Sequence, residues 1–243
     1  MTRKLGECLP LYFILSLVII CCVLLLRSVF MPFIPPLEEL ESSALERRKI
    51  ILDPGHGGKD GGAVSVTGSH EKELNLDISL SMRETLHILG YEVILTRESD
   101  VELTHSDGGT RKMQDLKGRF EIAEANSGAT FVSIHMNKFF ESKYDGLQVY
   151  YSPNNDNSFP IAKSVQDSVS SILQPNNDRK IKKADSAIFL LHRIKSPAIL
   201  IECGFLSNPK EAELLDTAKY QAKLSSVITV AIINSFERQV YED

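Results

Sequence analysis

The chain has 243 residues, with 27 Lys and Arg against 32 Asp and Glu, for a net charge of -5. That balance argues against a basic nucleic-acid binder, which needs a positive excess to neutralise phosphates. Hydrophobic residues at 43% and charged residues at 24% describe a folding chain and exclude a disordered one.

Residues 9–26 read LPLYFILSLVIICCVLLL, 18 residues without a charge. At ~1.5 Å per residue they make ~27 Å of helix, close to the ~30 Å hydrocarbon core of a bilayer. No polar face interrupts them, as one would in a buried helix of a soluble domain. The pattern predicts a membrane-spanning signal anchor over 1–27, with a cleaved signal peptide as the alternative. Arg3 and Lys4 precede it; Arg27 and then Glu38, Glu39 and Glu41 follow. The positive-inside rule favours a cytoplasmic N-terminus, with residues 28–243 exported. Residues 28–46 hold Pro32, Pro35 and Pro36 and read as a short tether. Cys8, Cys21 and Cys22 belong to this end. Cys203 is then alone in the exported part, where it has no internal disulfide partner.

Residues 47–243 keep a net charge of -3 and show no repeat. Short apolar runs alternate with helical patterns. Lys49–Asp53 is a predicted strand, ended by Pro54 and Gly55. Glu71–Leu89 is a predicted helix, since Leu74, Ile78, Met82, Leu86 and Leu89 recur at three- and four-residue steps. Gly90 supplies its stop. Tyr91–Arg97 is the second strand. A polar loop, taken to include residues 111–120, leads to a helix near Leu116–Asn126. Phe131–His135 and Leu147–Tyr151 are strands, and Ile161–Leu173 is helical. Ala187–Leu191 fits a strand or a short helix equally. Pro197–Cys203 is a buried strand. Asn208, Pro209 and Glu211 form a helix start with Asn as cap and Glu at the third position. A last helix covers about 218–238. Such alternation implies one α/β domain over 47–243, with a mainly parallel, mixed, twisted sheet and helices on both faces.

Open α/β sheets place their sites beyond the carboxyl ends of the strands. The first strand ends in Asp53-Pro-Gly-His56, the third in His135 with Asn137 just after, and the Pro197 strand in Glu202. Glu71 opens the helix after the first strand. Two imidazoles and two carboxylates should therefore converge on one edge. Two His and one carboxylate suit Zn2+ with a position left for water. A second carboxylate can then take the water's proton and pass it to a leaving amine. Spacing alone leaves open which of Glu71 and Glu202 binds metal. The glycines around His56 permit close approach of backbone to a ligand. Of the other histidines, His105 alone is kept as a candidate for the rim. Cys203 fits a nucleophile with His56 or His135 as base, against a space-filling role at a strand end. Asp60 breaks both a dinucleotide fingerprint and a P-loop.

Five motifs stand in order: ILDPGHGGKDGGAV (51–64), EKELNLDIS (71–79), GYEVILTR (90–97), FVSIHMN (131–137) and ILIECGFLSNP (199–209). On these the chain resembles the zinc-dependent N-acetylmuramoyl-L-alanine amidases, bacterial peptidoglycan hydrolases, over nearly all of 49–237. The resemblance implies zinc ligands His56, Glu71 and His135, with Glu202 as catalytic carboxylate. It implies cleavage of the amide between the lactyl group of N-acetylmuramic acid and L-alanine of the stem peptide. Arg97, at another strand end, is a candidate to bind a substrate carboxylate, with a structural role as the alternative. Asn137 is a second candidate for substrate contact. A catalytic domain behind a short membrane segment is similar to the germination-specific spore-cortex amidases, which help to make muramic δ-lactam. A vegetative or cell-separation amidase is the alternative. A catalytically silent glycan-binding protein is a further one, against which the intact set of four residues argues. Some relatives are activated by a protein partner.

Overall fold

The computed structural model describes residues 15–22, 25, 49–103 and 108–242. Most of the expected anchor over 1–27, the expected tether over 28–46 and His105 lie outside them. Residues 15–22 are helical and exposed. Among the described residues no helix is long and apolar enough to cross a membrane. The chain divides into Met1–Arg47 and Arg48–Asp243, and the second unit holds the fold.

The first apolar run forms β1 (Lys49–Pro54), buried from Ile50 onward. Both faces of the strand are covered, which is why it reads as continuous apolar residues rather than as an alternation. Helix α1 (Glu71–Ile88) follows. Its stripe of Leu74, Ile78, Met82 and Leu86 is buried, whereas Leu89, expected to extend it, is the exposed C-cap. Gly90 takes a φ of 83°, a left-handed conformation that favours glycine, and turns the chain into β2 (Glu92–Leu95). Helix α2 (Arg111–Ala125) begins five residues before the expected start, so residues 111–120 are helix and not loop. Thr110 caps it by accepting a bond from the Met113 amide. The apolar side is thin because Arg119 replaces an apolar residue on the buried face.

Strand β3 (Thr130–Asn137) and strand β4 (Gln148–Tyr151) come next, then α3 (Ser158–Ile172). A two-residue strand β5 (Lys182–Lys183), not expected, precedes a short helix α4 (Phe189–Arg193). Strand β6 (Ala198–Phe205), helix α5 (Pro209–Leu215) and helix α6 (Ala218–Glu242) complete the chain. Asn208 caps α5, its side chain accepting from the Lys210 and Glu211 amides. Glu211 does not reach back to close a capping box. It turns inward and accepts from the amides of Gly146 and Phe205.

The sheet order is β2-β1-β3-β6-β4-β5. The four strands β2, β1, β3 and β6 are parallel; β4 runs antiparallel to β6, and β5 parallel to β4. The mixed sheet is as expected. One face packs Ile50, Leu52, Val132 and Ile201 against α1, α3 and α6. The other packs Ile51, Phe131 and Ala198 against α2 and α4. Alternation then sends Asp53, Ser133, His135 and Glu202 to the α2 and α4 side.

Candidate metal centre

His56 sits just past the end of β1 with φ 61°, an unusual left-handed conformation for a residue with a Cβ. The turn that follows holds it there. Gly57 and Asp60 exchange two backbone hydrogen bonds of 2.9 and 3.0 Å. This swings the Asp60 carboxylate back onto His56, where Oδ2 accepts from Nδ1 at 2.9 Å. Nε2 is left to face Glu71 Oε1 at 3.2 Å.

Glu71 opens α1 and is buried, 4% exposed. Its Oε1 also accepts from His135 Nδ1 and from the Met136 amide, both at 3.1 Å. Its Oε2 accepts from the Ala63 amide at 2.9 Å. The rings of His56 and His135 meet edge to face, with centroids 5.0 Å apart. One ligand atom from each of His56, Glu71 and His135 lies within 4.8 Å of the others, a group that could hold a metal ion. The glycines make room. A Cβ on Gly55 would lie 2.2 Å from His135 Cε1, and one on Gly62 would lie 2.6 Å from Glu71 Oε2.

Burial opposes ionisation of Glu71, but His135 and His56 outweigh it and hold the carboxyl well below its usual range. Burial likewise disfavours a charged His56, and Glu71 and Asp60 outweigh that, so its pKa is raised. Glu202 behaves in the opposite way. It is the register partner of His135 on β6. Burial pushes its carboxyl up to about 7, with Glu71 adding to the rise and the two histidines opposing it. Its Oε2 is buried with no hydrogen-bond partner among the described residues. A carboxylate in that position is costly unless a ligand or a proton reaches it.

The structure thus brings His56, Glu71, His135 and Glu202 to one edge. The contacts of Arg97 fit its structural alternative. It is 3% exposed. Its guanidinium donates to the carbonyls of Pro54, Ser99, Gly55 and Lys72 at 2.7 to 3.0 Å. It ties the His56 loop to α1. Asn137 ends β3 half-buried, its carbonyl accepting from the Leu206 amide at 2.8 Å. Cys203 points into the core on the opposite face, fully buried, and burial pushes its thiol far above the ordinary range. That geometry removes the nucleophile reading.

Two supporting groups escaped the sequence reading. Asp60 stands four residues after His56, a spacing that was visible but carried no sign of the turn. Arg119 is the other. It is 2% exposed. It pairs with Asp53 at 2.5 Å and Asp115 at 2.7 Å, and donates to the carbonyls of Pro54 and His56, both at 2.7 Å. Thr96 and Ser133 complete the shell of Asp53.

Comparison with known proteins agrees with this geometry. The family described as N-acetylmuramoyl-L-alanine amidase matches residues 50–234. The chain belongs to that family. The amidase is 38% identical over 200 residues to the germination-specific N-acetylmuramoyl-L-alanine amidase of Bacillus subtilis, covering 80% of this chain and 82% of that one. Its fold matches the CwlD amidase of Clostridioides difficile, solved in complex with the GerS lipoprotein. The TM-score is 0.74 at 39% identity, over 78% of this chain and 98% of that one. It also matches the amidase AmiC2 of Nostoc punctiforme, with TM-score 0.68 at 29% identity, over 79% and 98%. The protein is therefore a peptidoglycan hydrolase of the amidase class, in a family that is generally zinc-dependent.

Proposed function

We propose that His56, Glu71 and His135 hold Zn2+ and that Glu202 moves the proton during cleavage of the amide between N-acetylmuramic acid and L-alanine. The observation that carries this is the buried, unpartnered carboxyl of Glu202 beside a cluster of two imidazoles and a carboxylate. Two nitrogens and one carboxylate oxygen suit zinc in both softness and number, and leave a position open. Zinc held there supplies Lewis acidity to the scissile carbonyl and to the attacking water. Asp60 orients His56 so that Nε2 presents its lone pair. With a pKa near 7, Glu202 accepts a proton from the water and returns it to the alanine nitrogen. The Asn137 amide, at the end of the strand that carries His135, contacts substrate.

Cell-wall amidases act outside the cytoplasm, and the apolar run at 9–26 fits export with anchoring or signal cleavage. The proposed organisation is an anchor over 1–27, a tether over 28–46 and the catalytic domain over 47–243. Likeness to the germination-specific enzyme supports a role in the spore cortex. Removing the stem peptide there frees the lactyl carboxyl that lactam formation needs. Likeness to the CwlD amidase, which was solved with GerS, supports a protein partner. Mass spectrometry of muropeptides digested with and without added Zn2+ tests the chemistry. Release of the intact stem peptide only with zinc is expected; a cut within the peptide or between sugars refutes the reading.

A further inference from the structure

Residues 179–183 read RKIKK, four cations in five residues of a chain whose net charge is -5. This basic run crosses the β4 edge of the sheet, where Lys182 and Lys183 pair with Tyr150 and Tyr151. Arg179 is half-buried and held in place. Its guanidinium lies 4.4 Å from the Phe205 ring centroid and 5.8 Å from that of Tyr144. Its Nε donates to the Asp145 carbonyl at 2.7 Å, and Nη1 reaches Gln148 Oε1 at 3.5 Å. Nη2 has no acceptor and no carboxylate pairs with the group among the described residues. The neighbouring buried acid, Glu211, is held instead by the amides of Gly146 and Phe205. Two more cations flank the site. Lys143 Nζ stands 5.2 Å from the Tyr144 ring centroid and Lys182 Nζ 5.8 Å from that of Tyr150.

Gln148 is the register partner of Glu202 across the β4–β6 pair, so the two share a face. A guanidinium with open donors therefore stands one side chain from Glu202. The Tyr150 hydroxyl, on the same face, senses the charges of both Glu202 and Arg179. A guanidinium stacked on rings and fixed at one edge is a preorganised fork for a carboxylate. The reach also fits. Opposed side chains on neighbouring strands start ~5 Å apart. An extended peptide advances ~3.3–3.6 Å per residue. A carboxylate one residue past the scissile nitrogen falls within that span.

We propose that Arg179, backed by Lys182, binds a free carboxylate of the stem peptide just beyond its first alanine and so selects acidic over amidated stems. The proposal rests on Glu202 marking the scissile bond. Two zinc-loaded assays of the full chain test it, on muropeptides that differ only in whether that carboxyl is free or amidated. Preference for the free acid in kcat/KM is expected, about 10- to 100-fold. Arg179→Gln should abolish the preference by slowing only the acidic substrate, and Arg179→Lys should keep part of it. The same contrast should appear in calorimetric binding of both uncleaved substrates to Glu202→Gln. Equal rates on the two substrates, or an Arg179→Gln variant slowed alike on both, overturns the proposal while leaving the zinc site intact. A wild-type enzyme inert on both overturns the reading of the site itself.

Discussion

His135 and Glu202 stand opposite each other on the central β3–β6 ladder, one in the group that could hold a metal ion and the other outside it. Neighbouring parallel strands thus deliver the proposed ligand and the proposed proton carrier side by side. The division follows from partners. Glu71 is surrounded by donors at both oxygens, which suits a permanently ionised ligand. Glu202 has a buried oxygen with none, which suits a group that gains and loses a proton.

Replacement of Glu202 by Gln keeps the shape and removes the proposed proton acceptor. Turnover should fall by about 10²- to 10⁴-fold, with zinc content by elemental analysis and thermal stability retained. Survival of turnover would show that another group carries the proton.

In the proposed site Asp60 acts on the metal through His56, whose Nδ1 it holds at 2.9 Å. Asp60→Asn should weaken zinc binding about 10- to 100-fold, the usual cost of losing a carboxylate behind a ligating histidine. Competition with a chromophoric chelator measures this. Unchanged affinity would mean that the 2.9 Å contact to Nδ1 does not orient the ring.

Arg119 carries the charge that lets Asp53 be ionised at zero exposure. Burial raises the Asp53 pKa, but Arg119, Ser133 and Thr96 outweigh it. Arg119→Met would strand that charge and free the carbonyls of Pro54 and His56. A loss of about 3–5 kcal/mol in denaturant unfolding is expected. A loss below about 1 kcal/mol would show that Asp53 takes up a proton instead.

The elements that read clearly from sequence were those with apolar periodicity, and the site was legible because polar residues interrupted that pattern. His135 and Glu202 interrupt apolar stretches of β3 and β6 two and three residues before those strands end, and His56 stands just past the end of β1. Arg119 lay hidden for the opposite reason. On a helix of polar composition an arginine looks like a solvated face, and its partner Asp53 is 66 residues away. The start of α2 was missed with it, since the helix buries an ion pair where a stripe was sought. Strand β5 has only two residues, both exposed lysines, and carries no pattern at all. Glu211 matched a capping box in spacing, yet its acceptors serve Gly146 and Phe205, contacts fixed only when the chain folds.

Glu211 also makes stability depend on pH. Burial pushes its carboxyl from 4.5 up to about 7, against the two amides that favour the charged form. Below pH ~4.5 the folded and unfolded chains both hold the proton. Between 4.5 and 7 the unfolded chain releases it while the folded one retains it, so stability falls as pH rises and levels off above 7. The span corresponds to at most about 3 kcal/mol. Glu211→Gln removes this dependence, while Glu202, which titrates in the same window, contributes equally to both proteins and cancels. Urea unfolding of the metal-free wild type and variant from pH 4.5 to 8 should therefore diverge, with the wild type losing ground to the variant as pH rises. Parallel curves would mean that the Gly146 and Phe205 amides prevail over burial and that Glu211 is ionised throughout.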